Sequence, residues 1–349
     1  MSSKKYFFNI VFVTALFAAT LYYVFHGKNL SQLSEYIQMS DPRYWILAAL
    51  FVLIFIIGES VILFYLMKSV KQNVVFGHCC LYSFVGFFFS CITPSASGGQ
   101  PMQLLYMKKD GLSVSISTYL LMIVTIGYKM VLVLLGLIVM IVRPSRIISY
   151  MDSVSEWIIL GIVLNVVAVS GMLMLLFHAR LSEAALNGLL RFGCRIRLIR
   201  DRKKWEHKIV AMVNKYQQVS TYLKNNPVIG LNVLLLSIVQ RFALFAVTAV
   251  VYISFGLRGQ SLMVITLLQG MISVAVDMLP TPGGMGISEG LFLSIFEPVF
   301  GKFTLSGLVV SRGISFYSQL VVCLVMTVIA HTIIFGRHTT KKKMTGEFR

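Results

Sequence analysis

Long uninterrupted apolar runs are the feature that most constrains how this 349-residue chain can fold. Several of them reach about 20 residues, the length at which an α-helix spans a hydrocarbon core of about 30 Å. Only 13% of the residues are charged, whereas a soluble domain carries about 25%. The runs are continuously apolar and do not alternate in polarity, which favours helices over a β-barrel. The sequence therefore predicts an all-α polytopic integral membrane protein, with residues 1–349 forming a single transmembrane domain.

Six of the runs are predicted as full spans, at 6–25, 43–67, 114–141, 157–178, 228–254 and 303–335. Two further apolar stretches, 74–109 and 262–297, are too long for one helix and too short for two ordinary spans. Pro and Gly interrupt both stretches, at 94–101 and 280–286, and these residues stop a helix. Irregular backbone at membrane depth is tolerated only where protein or water surrounds it. We therefore predict two re-entrant hairpins, each broken at its tip.

The order helix, hairpin, helix occurs twice, at about 43–141 and about 228–335. Lys and Arg gather in cytoplasmic loops, and a cytoplasmic N-terminus places Lys108, Lys109 and the basic C-terminal tail inside. The two copies then have opposite orientations in the membrane. This arrangement predicts an inverted-topology repeat with both termini in the cytoplasm, a plan found in many secondary transporters. Coincidental Pro and Gly kinks in ordinary helices are the alternative.

The net charge of +18 would suggest nucleic acid in a soluble protein. Here the basic residues lie mainly in certain loops, so orientation and anionic lipid explain them better, and no nucleic-acid partner is predicted. Segment 179–224 holds eleven Lys and Arg, and its apolar residues follow helical spacing. It is predicted to be a basic amphipathic segment on the cytoplasmic leaflet. Its residues 195–204 either hold acidic lipid headgroups or only fix the topology.

Six ionisable residues fall at membrane depth, namely Glu59, Lys129, Arg241, Asp277, Glu289 and Arg312. A charge at the centre of a span costs at least about 2.5 kcal/mol, so such groups are expected to face one another or water. Three acids and three bases predict paired charges around an internal polar cavity. Purely structural ion pairing between helices is the alternative interpretation.

The broken tips add candidate anion-binding groups, because the N-terminus of a helix presents unpaired N–H donors and a partial positive charge. The candidates are Ser97, Gly98, Gly99 and Gln100 at the first tip, and Gly283, Gly284 and Gly286 at the second. With Lys129, Arg241 and Arg312 nearby, they predict a phosphate site inside the membrane. Glu59, Asp277 and Glu289 are expected to neutralise those cations when no lipid is bound. Alternatively, the glycines only permit tight turns.

Several kinds of chemistry have no signature in this sequence. It contains no G-x-x-x-x-G-K-[ST] loop and no G-x-S-x-G elbow. The six His and five Cys lack the spacing of a metal site. We therefore expect no cofactor, no metal and no catalytic residue, and an enzyme is the weaker alternative.

Two motifs, 93–103 followed by 106–111, and 279–290, closely resemble the lysylphosphatidylglycerol synthase transmembrane-region family, also called flippase-like. The family is typified by the membrane half of the bacterial multiple peptide resistance factor. The resemblance implies movement of a phosphate-bearing lipid, such as aminoacylated phosphatidylglycerol, between leaflets of the bacterial inner membrane. A separate soluble domain performs aminoacyl transfer in that family, and we expect this chain to lack it. The alternatives are a scaffold or subunit of a separate lipid synthase or glycosyltransferase, or a lipid-modifying enzyme.

Overall fold

The computed structural model describes residues 30–178, 188, 220–222, 224–281 and 283–346. These residues form helices and no strands, which confirms the predicted all-α class. The first predicted span, 6–25, lies outside the described residues, as does nearly all of the predicted amphipathic segment 179–224.

The helices follow one another with short connections. They are α1 (Leu30–Gln38), α2 (Pro42–Ser69), α3 (Phe76–Cys91), α4 (Gly99–Lys109), α5 (Val114–Val142), α6 (Ser145–Met151), α7 (Ser155–Phe177), α8 (Pro227–Ser254), α9 (Leu262–Val276), α10 (Ile287–Phe300), α11 (Thr304–Arg312) and α12 (Gln319–Gly346). Single 3₁₀ turns lie at Asp152–Val154 and Gly301–Phe303, and a π-helical segment, Gly313–Ser318, joins α11 to α12.

Five helical segments in the described part of the chain are long and apolar enough to cross a membrane. They are Pro42–Ser69, Val114–Val142, Ser145–Phe177, Pro227–Ser254 and Ile287–Phe335. Each overlaps one of the predicted spans, and the protein is a multi-pass membrane protein. The predicted span 303–335 is not a uniform α-helix, because the π-helical segment interrupts it directly after Arg312.

Local sequence explains where the first helix of each half begins. Pro42 and Pro227 occupy the first turns of α2 and α8, where a missing N–H costs nothing. The carboxylate of Asp41 accepts a hydrogen bond from the Arg43 N–H at 2.9 Å, which caps α2.

Both predicted helix breaks occur, and each produces a hairpin. The first hairpin consists of α3 and α4, which pack against each other on either side of a tip near Pro94. The second consists of α9 and α10, around a tip near Pro280. The two tips meet, because the Ser95 hydroxyl donates to the Leu279 carbonyl at 3.1 Å. Irregular backbone from both hairpins is therefore brought to one place.

Helices α2 and α8 run antiparallel along their length. The Asp41 N–H donates to the Ser254 carbonyl at 2.8 Å, at the start of α2 and the end of α8. Further along α2, Gln240 donates to the Phe55 carbonyl at 3.0 Å, and Asn232 donates to the Tyr65 hydroxyl at 2.9 Å.

The hairpin of each half of the chain also packs against the other half. Helix α3 packs on α12, and α9 packs on α5, so each hairpin contacts the last helix of the other half. The inverted-topology repeat itself stays a prediction.

Candidate functional site

A cavity of about 440 Å³ lies between the two hairpin tips, within the ~300–1,000 Å³ typical of ligand pockets. Five of the six charges predicted at membrane depth line it, from α2, α5, α8, the second tip and α11. The predicted site residues in its lining are Glu59, Lys129, Arg241, Asp277, Arg312, Ser97, Gln100, Gly283 and Gly284. The structure thus brings together side chains that are up to 253 positions apart in the sequence.

The remaining predicted residues lie behind this lining. The Gly98 N–H donates to the Thr93 hydroxyl at 2.9 Å. A Cβ on Gly99 would lie 2.7 Å from the Gly86 carbonyl oxygen, so Gly99 permits the close approach of α4 to α3. Gly286 and Glu289 belong to the first turn of α10. These four residues shape the tips without lining the cavity.

Lys129 and Asp277 form a buried ion pair across the cavity wall. Lys129 is only 5% exposed, and the Asp277 carboxylate compensates its charge. The Asn165 carbonyl oxygen lies 3.5 Å from the same ammonium group. Asn165 is itself fixed, because its amide donates to the Gly161 carbonyl at 2.9 Å and to the Val274 carbonyl at 3.3 Å.

Arg312 and Glu289 form the second ion pair, and it is part of a larger network. The Arg312 guanidinium lies 2.7 Å from a Glu289 carboxylate oxygen, and it also donates to the Gly283 carbonyl at 3.1 Å. The other Glu289 oxygen accepts from the Gly286 N–H at 2.7 Å and from the Ser288 hydroxyl at 2.9 Å. Glu289 therefore neutralises both a cation and the positive end of α10.

This network changes the prediction for the second tip. We expected the N-terminus of α10 to offer free N–H donors to a phosphate. Instead, the protein's own carboxylate takes the Gly286 N–H, because an acid at the third helical position folds back onto the cap residue.

Glu59 and Arg241 differ from the other four charges, because within the described chain neither forms an ion pair. Glu59 accepts one hydrogen bond, from the Gln103 side-chain amide at 2.6 Å. The Arg241 guanidinium lies over the ring of Tyr128, with its carbon 4.2 Å from the ring centroid, and 5.1 Å from that of Phe55. Its buried Nε has no hydrogen-bond partner among the described residues. The expected pairing of three acids with three bases is thus found for two pairs and not for the third.

The two tips turn by different means. At the first tip, Ser95 and Ala96 adopt left-handed φ values of 51° and 53° although neither is glycine. The second tip places glycines at its left-handed positions, including Gly283 at φ 59°. A Cβ on Gly283 would lie 2.2 Å from the Phe316 ring, so both the turn and its packing require glycine there.

Sequence reasoning missed several side chains that shape the cavity. Gln103 holds Glu59, Thr125 holds Gln100, and Phe55 and Tyr128 hold Arg241. Gln103 had a usable signal, because an amide at hairpin depth is costly unless it is bonded. The aromatic residues gave none, since such residues are common in apolar helices. Thr93 caps the first tip, because its hydroxyl accepts a hydrogen bond from the Gly98 N–H.

The helices, the broken hairpins and the enclosed charges define a multi-pass membrane protein with a polar cavity at the meeting point of two hairpins. No group of three or more His, Cys, Asp or Glu in the described residues is placed to hold a metal ion. The chain belongs to the family described as Lysylphosphatidylglycerol synthase TM region, whose model matches residues 9–323. No curated protein matches the chain. Membership of this family indicates a lipid-related function in the membrane.

Proposed function

We propose that this protein moves a phosphate-bearing lipid between the leaflets of the bacterial inner membrane, with aminoacylated phosphatidylglycerol as one such lipid. The observation that carries the proposal is the Arg241 guanidinium, which lines a cavity between two broken helices and forms no ion pair among the described residues. The lipid phosphate enters this cavity while the acyl chains remain in hydrocarbon. The termini are cytoplasmic in this proposal, and the two halves form an inverted repeat.

Arg241 suits a phosphate better than the other two cavity cations. Lys129 and Arg312 are each compensated by a carboxylate, so a phosphate would have to displace an existing partner. Arg241 is held by ring faces, which leave its N–H donors uncommitted, and a guanidinium binds phosphate in a bidentate manner.

The first tip supplies further polar groups beside the same cavity. Ser97 and Gln100 line it at the start of α4, where the helix dipole favours negative charge. The corresponding end of α10 is already neutralised by Glu289. We therefore place the phosphate between the first tip and Arg241, with the second tip as the opposite wall.

The test is lipid movement in proteoliposomes that contain only this protein and a fluorescent phosphatidylglycerol. Arg241→Ala removes a charge-assisted contact of about 1.5–3 kcal/mol, and the rate is expected to fall about 10–100-fold. Arg241→Lys keeps the charge but not the bidentate geometry, so its rate should lie between. Lys302→Ala is the matched control, because Lys302 is an exposed cation over the rings of Tyr36 and Phe303 and does not line the cavity. A wild-type rate in folded Arg241→Ala protein contradicts the proposal.

A second candidate function comes from the family description, which names a synthase. In that case the chain is the membrane-embedded scaffold or subunit of a lipid-synthesising enzyme, and the cavity presents lipid to that enzyme. The purified protein would then bind phosphatidylglycerol without moving it. Movement of lipid by the purified protein alone favours translocation over this alternative.

A further inference from the structure

We infer that Glu59 is a proton-binding site, and that it takes up a proton when a lipid phosphate occupies Arg241. This inference rests on the proposed function, and it adds an activity, proton-coupled movement of lipid. Each headgroup would carry one proton with it, so that a proton gradient drives the lipid in the direction of proton flow.

The three intramembrane acids differ in whether a cation lies beside their carboxylates. Asp277 has Lys129 as its counter-ion, and Glu289 has Arg312 together with a backbone N–H. Glu59 has only the neutral amide of Gln103 as a hydrogen-bond partner among the described residues. An ionised carboxylate without a counter-ion is strongly disfavoured away from water. Of the three, Glu59 is therefore the acid whose charge depends on what else the cavity contains.

Arg241 provides the link between the proton and the phosphate. Its guanidinium lies 5.1 Å from the ring centroid of Phe55, one helical turn before Glu59 on α2, and both charged residues line the cavity. In the empty cavity a neighbouring cation favours an ionised carboxylate. A phosphodiester on Arg241 brings one negative charge, which offsets that positive charge. This change favours protonated Glu59. The proton comes from the aqueous phase that the cavity faces and returns to water when the phosphate leaves.

Gln103 is suited to hold Glu59 in either protonation state. Its amide presents both a donor and an acceptor, so it can bond a carboxylate or a carboxylic acid. The side chain is confined, since a Cβ on Gly86 would lie only 2.3 Å from its amide nitrogen. Glu59 can therefore change its charge without losing its hydrogen-bond partner.

Among the titratable or charged groups around Glu59, Glu59 itself is the one expected to gain a proton when a phosphate binds. The other groups are Tyr128 and Lys129 on α5, Cys91 on α3, Cys323 on α12, Arg241 on α8, Asp277 at the second tip and Arg312 on α11. Tyr and Cys are ordinarily neutral at pH 7. Lys129, Asp277 and Arg312 are committed to ion pairs, and Arg241 stays charged.

The experiment measures binding of dihexanoyl phosphatidylglycerol to the full-length protein in neutral detergent, by calorimetry from pH 5.5 to pH 8.5 in two buffers of different ionisation enthalpy. The phosphodiester does not titrate in this range, so any linked proton belongs to the protein. Wild-type affinity should rise as the pH falls, by up to about tenfold per pH unit, with uptake of up to one proton. Glu59→Gln should bind the lipid with no dependence on pH. Glu35→Gln, an exposed acid on α1, is the matched control and should keep the wild-type slope.

Failure of this inference is distinguishable from failure of the proposed function. Wild-type protein that binds without proton uptake, or Glu59→Gln protein that keeps the slope, overturns the proton site and leaves the phosphate site standing. Wild-type affinity in folded Arg241→Ala protein overturns the phosphate site itself. If Glu59→Gln does not fold, wild-type binding without proton uptake still overturns the inference.

Discussion

The two hairpin tips face the same cavity but balance their charges in opposite ways. At the second tip, Glu289 pairs with Arg312 and also accepts a hydrogen bond from the N–H at the start of α10. The charges there therefore compensate one another. At the first tip, the polar side chains Gln100 and Gln103 carry no charge, and the nearby Glu59 and Arg241 remain unpaired within the described chain. The charges at the second tip are paired, whereas neither Glu59 nor Arg241 near the first tip forms an ion pair among the described residues.

The backbones of the tips differ in parallel with their charges. The second tip is built from glycines that meet no steric penalty at positive φ. The first tip holds Ser95 and Ala96 in the same region, which costs about 1–2 kcal/mol per residue. Strained backbone of this kind clusters at functional sites. Both differences favour the first tip as the binding side in the function that we propose.

In the predicted inverted repeat, the two hairpins enter the membrane from opposite sides. Cysteine labelling tests this with an all-or-none result. Lys302 lies beside Phe303, which stacks on Phe255 directly after α8, whereas Lys109 lies over Phe335. They occupy opposite ends of the antiparallel α2 and α8 pair. In a cysteine-free background, an impermeant maleimide should label Lys302→Cys in intact cells, and Lys109→Cys only after permeabilisation. Labelling of both from one face would break the inverted repeat.

The next prediction compares Glu289 at the second tip with Glu59 near the first, and thermal stability in detergent is the measurement. Glu289→Gln leaves Arg312 without a counter-ion and removes the charge that caps α10. Breaking a buried pair in this way costs about 3–5 kcal/mol. Glu59→Gln removes no ion pair, and the amide can still bond Gln103. We expect it to lower the free energy of unfolding by less than about 1 kcal/mol.

Each outcome of this stability test has a clear meaning. A large loss of stability in Glu289→Gln with a small loss in Glu59→Gln supports paired charges at the second tip and an unpaired acid near the first. Equal losses of stability would mean that Glu59 is paired with a cation in the folded protein.

Lys129→Gln combined with Asp277→Asn removes both members of the other ion pair. The double substitution should cost less stability than Asp277→Asn alone, because no charge is left unpaired.

The hairpins could be predicted because they follow from a local rule, since Pro280 and Pro94 interrupt apolar runs. A charged residue within an apolar run is unusual wherever it points, and this signal identified five residues that line the cavity. The partners could not be predicted in the same way. Lys129 and Asp277 are 148 positions apart, and which cation meets which carboxylate depends on how α5 packs against the second hairpin.

The lack of an ion pair for Arg241 among the described residues could not be predicted from the sequence either. Equal numbers of acids and bases in the apolar runs favour complete pairing, and no local pattern indicates that Arg241 lies over Tyr128 instead of beside a carboxylate. The capping role of Glu289 was within reach, because an acid three residues after a helix start commonly folds back. Its double role with Arg312 required the tertiary structure.

The smallest expected effect concerns backbone strain at the first tip. Ala96→Gly relieves a left-handed conformation, and we expect it to stabilise the protein by about 0.5–1 kcal/mol after the entropy gained by the unfolded chain is subtracted. Ala49→Gly makes the same substitution at an exposed position in α2, where helical backbone should make it destabilising by about 0.5–1 kcal/mol. Opposite signs in thermal unfolding would show that the first tip stores strain that the glycine-built second tip does not. If both substitutions destabilise equally, Ala96 is not held in a left-handed conformation, and only the charges distinguish the two tips.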